Sequence, residues 1–266
     1  EILDAEADGL TPSQTAKRIV NSKSDLNVFV VYGQQPSAST QNMAGVHDVL
    51  EILNNKLKTL CVGLYPSAKP EECLEKNKCT YVAKGEGIET IRGLLNHDDR
   101  VPGLFFRLGD TIQNFERSRM VPQGKLHEVY PYGKESWELL DMKKYRTANW
   151  HSMTNDNDTQ PFASIYTRLG CPYRCSFCCI NAPFEKNTLR YWEPEFIIEE
   201  LEYFHSIGIK NLKIADEMFV LNKNHFLKLC KLIIRRGYDF NIWAYARVDT
   251  VREEYLDILK KAGVNW

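Results

Sequence analysis

Four cysteines lie within nine residues, Cys171-Pro-Tyr-Arg-Cys175-Ser-Phe-Cys178-Cys179. The other four, Cys61, Cys73, Cys79 and Cys230, are spread along the chain, and each reads as a small buried hydrophobe. Thiols crowded in this way, in a chain expected to be cytoplasmic, point to metal before disulfide. A structural zinc ion needs four ligands, usually offered as two separated pairs. No second Cys or His pair stands at a suitable spacing, so zinc is the lesser alternative. Three cysteines at 171, 175 and 178 on one loop suit three irons of a four-iron cluster, whose soft metal matches soft thiolates. The fourth iron is then left without a protein ligand, open to substrate.

Such a loop has to be held by a scaffold, and the pattern of apolar residues supplies one. Apolar runs at Ile2 to Ala5, Asn27 to Tyr32, Thr59 to Leu64 and Thr80 to Ala83 read as strands. Between and after them, Pro12 to Val20, Asn42 to Asn55, Pro70 to Asn77 and Ile88 to Leu95 have helical period, with Pro12 and Pro70 suited to a first turn. Alternation of this kind predicts an α/β fold with a parallel sheet and helices on both faces. Its ligand would lie beyond the carboxyl ends of the strands. Residues 99–161 read as a linker containing a β-hairpin turned at Gly109-Asp110. After residue 162 the alternation resumes: Ser164 to Thr167, Asn211 to Ala215 and Ile242 to Ala246 as strands, Pro194 to Ile207, Lys223 to Arg236 and Glu253 to Ala262 as helices. The expected architecture is a Rossmann-like domain over 1–98, the linker, and the N-terminal half of a (βα) barrel over 162–266, with its site on the loops after the strands.

The spacing Cys171-x-x-x-Cys175-x-Phe177-Cys178, with an aromatic residue before the last cysteine and a strand before the loop, closely resembles the radical S-adenosylmethionine (radical SAM) enzymes. The resemblance implies that Cys171, Cys175 and Cys178 hold a [4Fe-4S] cluster, that SAM chelates the open iron, and that Phe177 lies near the adenine. It further implies reductive cleavage of SAM to a 5'-deoxyadenosyl radical, with electrons from a donor such as flavodoxin or ferredoxin. Cys179 falls outside the pattern and is expected not to be a ligand. Asp216 and Glu217, after the second strand of this half, stand where the family contacts the SAM amino end, although the usual Gly-Gly-Glu is absent. Arg247, at the end of the third strand, is a candidate partner for the SAM carboxylate, against a plain Arg-Asp surface pair with Asp249.

The first half, placed before such a core, resembles the cobalamin-binding subclass of the family. That likeness rests on Asp4-Ala5-Glu6, on Pro66-Ser67-Ala68-x-Pro70-Glu71-Glu72, on Gly85-Glu86-Gly87, and on Leu140-Asp141-Met142-x-x-Tyr145. It implies cobalamin held by the loops after the strands: Gln34, Gln35, Ser37, Ser39 and Ser67 as lining, and Gly85, Glu86 and Gly87 as a point of close approach. None of the six histidines fits Asp-x-His-x-x-Gly, so cobalt would lack a histidine from that motif. A dinucleotide site is disfavoured, because Gly-x-Gly-x-x-Gly is missing.

The arithmetic of the chain is compatible with these readings. Its 266 residues suggest about two domains. Lys plus Arg number 34 and Asp plus Glu 35, so no dominant basic field argues for nucleic acid. No apolar run is long enough to span a membrane. Three functions compete: a cobalamin-dependent radical SAM methyltransferase acting on an unactivated carbon of a small molecule or peptide; an oxidative cyclase or rearrangement enzyme resembling the anaerobic magnesium-protoporphyrin monomethyl ester cyclases; and a non-catalytic iron-sulfur or corrinoid carrier. A carrier has no need of an open iron. A radical SAM core usually has about six strand-helix units, and about three are present, so the chain is expected to be the middle of a longer protein.

Overall fold

The computed structural model describes residues 1–32, 38–98, 100–115, 118–131, 133–147, 160–184 and 186–266. The chain divides into two compact units, one built from Gly9–Pro122 with Gly170–Thr188, the other from Glu1–Asp8, Gln123–Leu169 and Leu189–Trp266. Both are mixed α/β with parallel pairing.

In the first unit, α1 (Pro12–Ser22) opens with a capping box, in which the Thr11 hydroxyl accepts from the Gln14 amide while the Gln14 side chain accepts from the Thr11 amide. There follow β1 (Asn27–Val31), α2 (Ala38–Leu53), β2 (Thr59–Gly63), α3 (Leu64–Ala68), α4 (Pro70–Lys76), β3 (Tyr81–Ala83) and α5 (Ile88–Leu95). Strands β1, β2 and β3 pair in parallel. All five residues of β2 are buried, as befits a central strand covered on both faces. One face packs Val31, Leu50, Cys61, Leu74 and Val82 into a core; the other packs Leu60, Val62 and Ala83 with Ile91 and Leu94.

Two expectations are corrected here. The hairpin β4 (Leu104–Leu108) and β5 (Thr111–Asn114) does not belong to a linker: β4 pairs antiparallel with β3, extending the sheet to the order β1-β2-β3-β4-β5. Its apolar residues Leu104 and Phe105 are buried against that sheet, which is why it does not stand apart. Nor is there a strand over Ile2 to Ala5. Those residues precede a turn in which the Asp4 carboxylate accepts from the Ala7 amide, a local bond that competes with extended pairing.

In the second unit, α6 (Leu126–Val129) and α7 (Lys134–Trp137) lead to β6 (Phe162–Ile165), β7 (Arg168–Leu169), β8 (Arg190–Tyr191), α8 (Pro194–Ser206), β9 (Asn211–Ile214), α9 (Lys223–Arg236), β10 (Asn241–Ala244) and α10 (Glu253–Lys261). The sheet has the order β10-β9-β6, all parallel, with Ile165, Ile214 and Ala244 level with one another. Val264 adds a parallel bridge to Ile242. The described residues before β6 are packed rather than free: the Trp137 ring lies edge-on to Phe204 of α8 and its indole N–H donates to Glu200, and the Phe162 amide donates to the Tyr145 carbonyl. Among the described residues, no helix is long and apolar enough to cross a membrane.

The turn from β2 into α3 depends on Gly63, whose φ is +131° and whose missing Cβ would stand 2.3 Å from the Val31 carbonyl oxygen. Both the conformation and the contact exclude a side chain. Gly63→Ala is expected to lower stability by at least ~2 kcal/mol, read from urea midpoints; an unchanged midpoint would contradict this account of the turn.

Candidate functional site

The cysteine loop occupies residues 170–188, between the paired two-residue strands β7 and β8. It begins at Gly170, φ +86°, where a Cβ would meet the Thr188 carbonyl oxygen at 2.2 Å, so the two ends of the loop are drawn together at a point only glycine can occupy. Regular structure is absent within it, and side-chain amides take over the work of a ladder. Asn181 accepts from the Cys171 amide at 3.0 Å and donates to the Cys171 carbonyl at 2.7 Å, while Asn187 donates to the Tyr173 carbonyl at 3.1 Å. A turn brings the Cys178 amide to the Cys175 carbonyl at 3.1 Å. Cys171 is buried, Cys175 and Cys179 half-buried and Cys178 exposed; Phe177 is 91% exposed. Asn181 and Asn187 were not expected from the sequence. An asparagine in a loop with this composition carries no sign of which carbonyl it will clamp.

Among the described residues, Cys171, Cys175 and Cys178 do not form a group whose thiols all lie within 4.8 Å of one another; the group that does is Cys61, Cys73 and Cys79. The distinction is chemical. Three ligands to one ion must crowd together, whereas three thiolates each on a different iron of a cluster stand further apart.

In the second unit, Asp216 follows β9 and is 1% exposed. Its carboxylate accepts from the Thr167 amide at 2.7 Å, from the Thr167 hydroxyl and from the Arg168 amide at 3.3 Å, with the Arg168 guanidinium 3.6 Å away. Burial pushes this carboxyl up, and Arg168 and the Thr167 donors oppose it. Asp216 therefore ties the end of β9 to the end of β6, and its acceptor sites face its own strands. Glu217, beside it, is pushed up to about 7 by burial and by the Asp216 charge, against the pull of Lys213.

Lys213 was not singled out in the sequence, because a lone lysine in an apolar strand looks like a solvent-facing residue. It is fully buried, 3.2 Å from the Tyr245 hydroxyl and 4.3 Å from the centre of the Trp243 ring, and burial lowers its ammonium to about 8. Parallel register brings it level with Trp243 of β10 and Ser164 of β6. Arg247 makes a bidentate pair with Asp249, at 2.9 and 2.7 Å, in an exposed position. Such a pair contributes little stability and can exchange with a competing carboxylate. Asp216, Glu217 and Arg247 lie at one edge, since β9 and β10 run the same way and the Phe219 amide donates to the Tyr245 carbonyl at 2.9 Å.

In the first unit, Ser67 is buried and engaged on both sides of one residue: its hydroxyl accepts from the Gly85 amide at 3.1 Å and bonds the Gly85 carbonyl at 3.2 Å. Glu86 accepts from the Val121 amide. Gly85, φ +127°, and Gly87, φ +83°, turn their open sides to Ser118 and Val62. These residues hold the loop after β3 against α3. Gln34, Gln35 and Ser37 lie outside the described residues, and Ser39 falls in α2 with no side-chain description.

Residues 165–266 match the radical SAM superfamily. Over 99% of its length the chain is 28% identical to an uncharacterized methyltransferase of Pyrococcus horikoshii, covering 55% of that protein, and 26% identical to the anaerobic magnesium-protoporphyrin IX monomethyl ester cyclase of Synechocystis, covering 51%. The chain thus spans about half the length of these curated relatives. Among solved structures, it is similar to the radical S-adenosylmethionine methyltransferase TsrM from Kitasatospora setae, bound to tryptophan and a SAM analog, with a TM-score of 0.67 at 19% identity over 99% of this chain and 52% of that one. It is also similar to the cobalamin-dependent radical enzyme OxsB, with a TM-score of 0.60 at 19% identity over 98% and 36%. At that identity the likeness shows the fold.

A titration follows from Glu217. With its carboxyl raised, the folded chain keeps a proton that the unfolded chain loses above its ordinary value of 4.5, so stability falls as pH rises from there through about 7. Glu217→Gln removes that slope. The variant is expected to match the parent near pH 4.5 and to exceed it at pH 8 by about 1–2 kcal/mol, the full shift being discounted for partial exposure. Urea midpoints at the two pH values measure it, and a difference that does not change with pH would refute the assignment.

Proposed function

We propose that the chain is the cofactor-binding part of a cobalamin-dependent radical SAM enzyme that methylates an unactivated carbon. The observation that carries this reading is the cysteine loop. It offers three thiols of graded exposure on irregular backbone, after the first strand of a parallel sheet and within the residues that match the radical SAM superfamily. In this reading Cys171, Cys175 and Cys178 hold a [4Fe-4S] cluster, and Phe177 stands exposed beside the last of them, where an adenine ring can cover it. Once bound, the cluster supplies the electron that cleaves SAM. The chain's own residues hold and orient: Asn181 and Gly170 fix the loop, Glu217 offers a carboxyl that can accept a hydrogen bond from an ammonium group, and Arg247 can exchange Asp249 for a ligand carboxylate.

The second sheet is then the first half of a (βα) barrel and the first sheet a Rossmann-like corrinoid domain. The loops after β1, β2 and β3 would form its ligand edge. Ser67, Gly85 and Gly87 enter this reading as the frame of that edge, since their donors and open sides meet the protein. No histidine motif for cobalt is present, so the reading requires none. Similarity to structures solved with cobalamin, a [4Fe-4S] cluster and SAM supports the cofactor set. An electron donor of the flavodoxin or ferredoxin type and a small-molecule or peptide substrate complete the proposal. The similarity to the magnesium-protoporphyrin cyclase favours a second reading, oxidative ring closure on the same cofactors. The two differ in product, a methylated one against an oxidised one of unchanged carbon count.

Anaerobic reconstitution is expected to load about four irons and four sulfides per chain. Cys175→Ala and Gly170→Ala are expected to lose most of that loading, and SAM cleavage to 5'-deoxyadenosine with it. Stoichiometric zinc in place of iron would overturn the cluster assignment. Incubation with hydroxocobalamin should leave a corrinoid absorption spectrum on the chain after gel filtration; a colourless protein would overturn the corrinoid half of the reading.

A further inference from the structure

Cys61, Cys73 and Cys79 were expected to be separate small hydrophobes. In the first unit their Sγ atoms lie within 4.8 Å of one another, and the three residues are 0%, 0% and 7% exposed. They arrive from three segments: β2, α4 and the turn entering β3. Thiols that only fill space have no reason to meet. With metal–sulfur bonds of about 2.3 Å, three sulfurs arranged in a plane around one ion stand roughly 4 Å apart, so this spacing suits one ion.

A polar side chain borders one of the three sulfurs. The Asn77 side chain donates to the Cys73 carbonyl at 2.8 Å and has the same nitrogen 3.9 Å from the Cys73 sulfur. Its oxygen pairs with His47 Nδ1 at 3.0 Å, which fixes the amide with its N–H groups toward the cysteine. The guanidinium of Arg107 reaches the Leu74 carbonyl at 3.4 Å, one residue beyond Cys73. Among the described residues no fourth Cys, His, Asp or Glu joins the group, and the three residues are buried. An ion that demands four ligands is poorly served; a closed-shell monovalent ion content with three thiolates is well served.

We propose that Cys61, Cys73 and Cys79 form a three-thiolate site for a single soft cation of the Cu(I) type, joining β2, α4 and the start of β3. Binding releases the thiol protons and involves no change of oxidation state.

The test uses the full 266-residue chain with Cys171, Cys175, Cys178 and Cys179 replaced by alanine, so that the loop thiols do not compete. Where that chain does not fold, native-state alkylation of the accessible loop thiols combined with Cys171→Ala gives the equivalent background. Anaerobic titration with Cu(I) against a competing chelator is expected to show one ion per folded chain. Affinity is expected to fall at least tenfold in Cys73→Ala and to be unchanged in Cys230→Ala, a buried thiol of the other unit. A folded chain that takes up no Cu(I), or a Cys73→Ala variant that binds as tightly, overturns the site. Should Cys73→Ala not fold, X-ray absorption of the loaded parent decides: three sulfur neighbours at one distance are expected, and two overturn the proposal. Displacement of the bound ion by equimolar Zn(II) overturns the choice of metal.

Discussion

A single buried carboxylate organises the second unit. Asp216 accepts from the backbone of Thr167 and Arg168 and faces the Arg168 guanidinium, so one charge at the end of β9 fixes the end of β6 and the residues from which the cysteine loop departs. Removing it would leave Arg168, 2% exposed, as an uncompensated cation. The paired strands β7 and β8 then close the neck of the loop, and the register of β6, β9 and β10 brings three strand ends to one level. Everything that can contact a ligand on that edge depends on this alignment.

The first unit solves the same problem with neutral groups. Ser67 bonds both polar atoms of Gly85, and α3 and the loop after β3 are thereby held as one rim. A serine hydroxyl can donate and accept at once, and the pair it makes needs no charge to be buried.

Much of this was legible in the sequence, and what was not has a physical reason. Apart from the strand expected over Ile2 to Ala5, the main strands and helices followed from periodicity, because that is a local signal. The hairpin's membership of the first sheet was missed, since antiparallel pairing of β4 with β3 is a choice of neighbour that the hairpin's own residues do not record. Asp216 was read as a ligand group and is engaged by Thr167 and Arg168, forty-nine and forty-eight residues away. Lys213 was passed over because a two-residue alternation does not say that the facing strand supplies Trp243 and Tyr245. The convergence of Cys61, Cys73 and Cys79 was invisible for the same reason: each is unremarkable alone, and only the fold brings them together.

The graded exposure of the cysteine loop has a consequence for the ageing of the protein. Cys171 is buried and clamped by Asn181, whereas Cys178 stands in solvent. Oxygen and peroxide therefore reach the loop from its far end. Oxidation of Cys178 to the sulfinic level is irreversible by ordinary thiol reductants. One such event removes a member of a three-thiol set while the fold, anchored at Asp216 and at the loop's neck, stays intact. Such a lesion changes an exposed loop side chain and leaves the bonds at Asp216 and at the neck of the loop as they are, so a count of free thiols would report it.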